Sequence, residues 1–172
     1  MDNIRITKSL LNKISKYVED NYREVEIDLL ADNNENLESS FKTTPDWAKE
    51  IANSKSKSWK DKLNDIIIKK DMNDPEIYKR GGISKQVYSN IRNTKKSYLP
   101  TKDTAIQLCF GLKLTINEFE DLLSSIGYCL STSNKRDLII KACVIHKIYD
   151  LNAVNQILYE NQFAHFKLNE VF

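Results

Sequence analysis

Met72-Asn73-Asp74-Pro75-Glu76-Ile77-Tyr78-Lys79-Arg80-Gly81-Gly82-Ile83-Ser84-Lys85-Gln86-Val87-Tyr88-Ser89-Asn90-Ile91-Arg92 carries most of what the 172-residue chain says about its fold. Asn73 or Asp74 can cap a helix, and Pro75 is tolerated in a first turn because the N–H it lacks has no helical partner there. Arg80-Gly81-Gly82 ends that helix, with glycines expected in the left-handed conformation a tight turn needs. Ser84 caps a second helix running to about Asn93. Two short helices must therefore cross over a small turn, with Ile83 and Val87 pointing inward to fix the crossing. Tyr88 occupies an apolar position and is expected in the core. Ser84, Lys85, Gln86, Ser89 and Asn90 then line the outer face.

Helical patterning continues on both sides. Trp59, Leu63, Ile66 and Ile67 give a helix before the quoted stretch. After it comes a loop, 94–100, containing Lys95 and Lys96. Thr101 opens a helix bearing Ala105, Leu108, Cys109 and Leu112. Thr115-Ile116-Asn117-Glu118 is a capping box for a helix carrying Phe119, Leu122, Leu123 and Ile126. Two more helices are expected, Lys135–Ile148 and Asn152–Glu160. Near the N-terminus, Leu10, Leu11, Ile14, Tyr17 and Val18 make an apolar stripe on a helix from about Lys8 to Tyr22, capped by Thr7. That stripe must pack on the rest of the chain or on a second copy. Residues 23–57 read as a polar linker with at most one short helical piece near Pro45–Ile51, anchored by Trp47 and Ile51. The expectation is an all-α protein of about seven helices in three parts: an N-terminal helix and linker (1–57), a compact helical domain (58–126) and a C-terminal helical extension (127–172).

Composition agrees with this division. The chain has only 4 glycines and 3 prolines, too few turn residues for an all-β fold. Its hydrophobic fraction of 41% is enough to bury a core. The net charge of +2 is unevenly spread. Residues 1–57 hold 9 Lys/Arg against 11 Asp/Glu, a net of −2; residues 58–113 hold 12 against 6, a net of +6; residues 114–172 hold 5 against 7, a net of −2. A localised positive field is what a phosphate-binding surface requires, although a solvated lysine-rich face gives the same count.

The 72–92 stretch resembles the helix-turn-helix of the XRE/Cro/lambda-repressor family. Met72, Asn73, Ile77, Gly82, Ile83, Ser84, Tyr88, Ser89 and Ile91 fall on the family's pattern. The basic loop, Pro100 and the capped helix at Thr115 follow its course. The resemblance spans residues 58–126, about 40% of the chain. It implies a five-helix lambda-repressor-like core that binds double-stranded DNA as a homodimer on a palindrome and acts in transcription. Under it, Ser84, Lys85, Gln86, Ser89 and Asn90 face bases, Gln and Asn suiting adenine edges and Lys guanine. Lys79, Arg80, Lys95 and Lys96 meet phosphates. The chain departs at Tyr78, where the family has alanine, so the two helices are expected to cross more widely. Residues 127–150 also resemble a group of bacterial and phage proteins with a Cro-like core and two extra helices. Such cores serve as protein-binding modules too, and an inhibitor of a host defence protein is the alternative.

Other chemistry has thin support. Cys109, Cys129 and Cys143 contain no CxxC pair and fit a reducing cytoplasm. Cys143 and His146 are spaced as a half-site for metal, but no second pair accompanies them, and His165 stands in an aromatic tail. Gly81-Gly82 lacks the Lys-Ser/Thr of a phosphate loop. No catalytic residue, metal or cofactor is therefore expected. Neither a signal peptide nor a run of roughly 18 apolar residues is present, so a cytoplasmic protein without membrane contact is expected. Tyr98 either touches DNA backbone or covers the helix after Pro100.

Overall fold

The computed structural model describes residues 6–24, 58–93 and 98–169. Among them are eight helices and no strand: α1 (Lys8–Asn21), α2 (Trp59–Lys70), α3 (Asp74–Arg80), α4 (Lys85–Arg92), α5 (Lys102–Gly111), α6 (Ile116–Ser124), α7 (Lys135–Ile145) and α8 (Leu151–Glu160). The helical piece expected near Pro45–Ile51 lies outside the described residues.

Helix starts follow the side-chain oxygens. Thr7, Ser58, Asn73, Ser84, Thr101, Thr115, Asn134 and Asp150 each accept a hydrogen bond from an N–H of the first turn. Helix ends follow a subtler rule. With four glycines available, left-handed residues at four helix ends are Asp71, Lys113, Lys147 and Gln162. α7 stops at Ile145 rather than near Ile148, because Lys147 turns left-handed at φ 57° and Ile148 N–H closes on Cys143 O at 2.8 Å.

α5 is the axis of the molecule. Every residue from Ala105 to Gly111 is buried, so this helix is covered on all sides. α3 and α6 pack directly on it, α2 and α7 pack on α6, and α8 pairs with α7. Phe110 meets Phe119 edge-on, with ring centroids 5.6 Å apart. One buried apolar cluster takes residues from all eight helices. α1 packs on α7, with Ile14 1% exposed and Leu10, Leu11, Tyr17 and Val18 laid against the core. The N-terminal stripe is therefore covered by the chain's own C-terminal extension, so it is not free to serve as a surface for a second copy.

Polar ties hold the N-terminal ends of α5 and α7 together. Asp137, 1% exposed, accepts from Lys102 Nζ at 2.6 Å and from Ser131 N–H at 3.0 Å. Arg136 forks onto the Asp103 carboxylate at 2.9 and 3.2 Å.

Glu118 joins α6 to α2. Its carboxylate accepts from Thr115 N–H at 3.0 Å and lies 3.2 Å from Lys69 and 3.4 Å from Lys70. Burial acts to raise its pKa, but the Thr115 N–H and hydroxyl and the two lysines outweigh it and hold the carboxyl at about 2. A depressed carboxyl stabilises the fold above its unfolded value, and that contribution fades as pH falls toward the folded value. Glu118→Gln should therefore cost about 2 kcal/mol at neutral pH, allowing for partial solvent screening. The gap in melting temperature from the wild type should narrow from about pH 4.5 toward pH 2. An undiminished gap at pH 2.5 would contradict this account.

Candidate nucleic-acid interface

α3 and α4 meet over a four-residue connection, Gly81–Ser84. Gly82 N–H donates to Lys79 O at 3.1 Å and Ile83 N–H to Tyr78 O at 2.9 Å, a Schellman closure. Only Gly82 is left-handed, at φ 57°. Gly81 has φ −74°, contrary to the expectation that both glycines adopt that conformation. Its smallness serves a different end. A Cβ on Gly81 would lie 2.8 Å from Gln107 O, so glycine lets the end of α3 press on the α5 backbone.

α4 has a sharply divided surface. Tyr88 and Ile91 are buried, Ile83 before the helix is 2% exposed, and Val87 packs against the core. Lys85, Gln86 and Ser89 are exposed and Asn90 is half-buried, so these four residues share the outer face. Gln86 Nε2 lies 3.5 Å from Asn90 Oδ1, a weak tie that a better acceptor would displace. Ser84 is committed to the fold: its hydroxyl accepts Val87 N–H at 3.2 Å.

The cations divide into two groups. Lys79 and Lys85 are exposed and carry no ion pair among the described residues. Arg80 is also exposed, but its Nη1 lies 2.6 Å from Glu76 Oε1. That pairing had a sequence signal, a glutamate four residues before an arginine. Lys95 and Lys96 lie outside the described residues.

A positioning network was not foreseen. Asn73 caps α3, which leaves Asp74 free to accept the Tyr88 hydroxyl at 2.8 Å. Arg92 Nε lies 3.7 Å from the same carboxylate, and Arg92 Nη1 donates to Asn64 of α2. Lys60 Nζ donates to Asn93 O at 2.6 Å. Together these bonds tie α4, from Tyr88 to its cap at Asn93, to α2 and α3. Burial first, and the Asp74 hydrogen bond second, push the Tyr88 phenol above its ordinary range, so it remains a neutral donor. Tyr78 fills the space beside it, ring centroids 5.7 Å apart. Tyr98 is partly buried and packs against the core.

The remaining reactive side chains are dispersed. Cys109 and Cys143 are buried thiols, and burial pushes Cys143 up to about 12. His146 and His165 are exposed. No group of three metal-ligating side chains comes together among the described residues, and no helix there is long and apolar enough to cross a membrane. No protein-family model matches the chain, and no curated protein or solved structure matches it significantly.

Proposed function

We propose that the chain is a sequence-specific regulator that binds double-stranded DNA in the cytoplasm. In this reading α3 and α4 are a helix-turn-helix of Cro/lambda-repressor type and α2–α6 are its five-helix core. The supporting observation is the outer face of α4. Lys85, Gln86, Ser89 and Asn90 stand together on it, while the opposite face is locked into the core. A short rigid helix with amide and ammonium groups on its outer side has the chemistry to read base edges in a major groove. Lys79 suits a neighbouring phosphate. Specific affinity on a palindrome calls for a second copy, with half-sites roughly 34 Å apart. Since α1 is already covered, that contact belongs elsewhere on the molecule.

One observation favours the alternative, a protein-binding module or inhibitor built on the same core. Lys62, Lys69, Lys70 and Lys102 are paired with Asp121, Glu118 and Asp137, carboxylates outside residues 58–113, so the surface offers less unpaired positive charge than that segment's count of +6. The test is selection of duplexes from genomic fragments, then titration at two salt concentrations. Gln86→Ala should relax sequence preference at a cost of about 1–3 kcal/mol. Replacing Lys79, or Lys95 and Lys96, by alanine should flatten the salt dependence by roughly one unit of slope per lost phosphate contact. Failure of the wild type to bind any selected duplex more tightly than about 10⁻⁶ M would replace this reading with the protein-partner one.

A further inference from the structure

The chain after α8 returns across the molecule as a strap of residues 163–169 without helical structure. Its rivet is Phe166, 1% exposed, with its ring 6.4 Å from Phe110. Asn155 grips the rivet by its backbone: Phe166 N–H donates to Oδ1 at 2.7 Å, and Nδ2 donates to Phe166 O at 2.9 Å. One residue on, Lys167 O accepts from Gln107 Nε2 at 3.0 Å. The strap then reaches the α3–α4 turn. Asn169 N–H donates to Gly82 O at 2.9 Å, its Nδ2 lies 3.3 Å from the same oxygen, and Leu168 covers Gly82.

We propose that this strap is a positioning device for α4, making the presentation of its outer face depend on the C-terminal end of the chain. The proposal rests on the DNA reading only for its effect on affinity. α4 has eight residues, too short to hold itself in water. From Tyr88 to Asn93 it is hydrogen-bonded to α3 and α2. The turn before its N-terminal half is closed on α3 through Lys79 O and Tyr78 O, and at Gly82 O it is held from outside by the strap. That N-terminal half carries Lys85 and Gln86. Freed of the strap, the turn samples more orientations, and the fraction competent to bind falls. Apparent affinity falls by the same factor.

The 172-residue chain can be tested with two substitutions at exposed Asn169. Asn169→Pro removes the N–H that reaches Gly82 O; Asn169→Ala keeps it. Neither empties the core. Two amides report on the turn: Ile83, bonded to Tyr78 O, and Val87, bonded to the Ser84 hydroxyl. Hydrogen exchange at both should be about 10-fold faster in Asn169→Pro and unchanged in Asn169→Ala. Affinity of Asn169→Pro for the selected duplex should fall about 5–10-fold with the salt slope intact, because no phosphate contact is lost. Unchanged exchange at Ile83 and Val87 in Asn169→Pro would overturn the proposal. Tighter DNA binding would also overturn it, by making the strap inhibitory. If the wild type binds no duplex, the DNA reading falls, and the exchange measurement still decides whether the strap holds the turn.

Discussion

Gly111→Ala is expected to lower the melting temperature by about 6–12 °C, a loss of about 3 kcal/mol from a single methyl group. Gly111 ends α5 where the C-terminal end of α3 crosses it. A Cβ there would lie 2.5 Å from Ile77 O, 3.0 Å from Gly81 N and 3.2 Å from Gly81 Cα. All three atoms are backbone, so no side chain can rotate away, and the two helices must separate. The damage falls on the contact that seats α3, and through the turn it reaches α4. Gly127→Ala is the internal comparison. Its Cβ would meet nothing within 4 Å, but its φ is +81°. It should cost only the left-handed penalty, about 1–2 kcal/mol. Thermal denaturation of both variants checks the ordering. Equal losses would mean that the α3–α5 approach can relax.

The contrast between those two glycines shows what could be read from residues alone. Gly81-Gly82 was legible as a turn because paired glycines punctuate a helix. That Gly81 and Gly111 meet backbone to backbone was not, since close approach depends on two helices separated by about twenty residues. Helix starts were legible because their signal is local, a side-chain oxygen bonding an N–H two or three residues on. The end of α7 was not, because lysine at position 147 carries no left-handed signal of its own. The periodicity of α1 required a covering surface without naming α7, which lies more than a hundred residues away. In the candidate site, the outer face of α4 followed from helical spacing around Val87, Tyr88 and Ile91. The Asp74–Tyr88–Arg92 network depends on which of two adjacent residues caps α3. It became visible only once Asn73 had taken that role.

The strap was the least legible element, because an extended segment has neither helical period nor cap, and Phe163-Ala164-His165-Phe166 reads only as an aromatic tail. Its energetic weight is nonetheless large. Phe166→Ala should cost about 3–5 kcal/mol, the usual range for emptying a fully buried phenylalanine site. Three things are lost together: the packing on Phe110, the surface beneath the Arg136 guanidinium, 4.7 Å from the ring, and the anchorage that lets Asn155 and Gln107 hold the strap's backbone. Leaving that buried side-chain amide of Gln107 without Lys167 O adds a desolvation cost if the strap leaves. Single domains are stable by about 5–15 kcal/mol, so this substitution removes a large share of the total. Denaturant unfolding distinguishes two outcomes. A cavity with the strap in place lowers the midpoint at constant slope. A released strap also lowers the slope, because less surface remains to be exposed on unfolding. With Phe166→Ala the second is expected, with faster exchange at Ile83 as in Asn169→Pro. A loss of unfolding free energy of under about 1 kcal/mol would show that Phe166 is not the rivet.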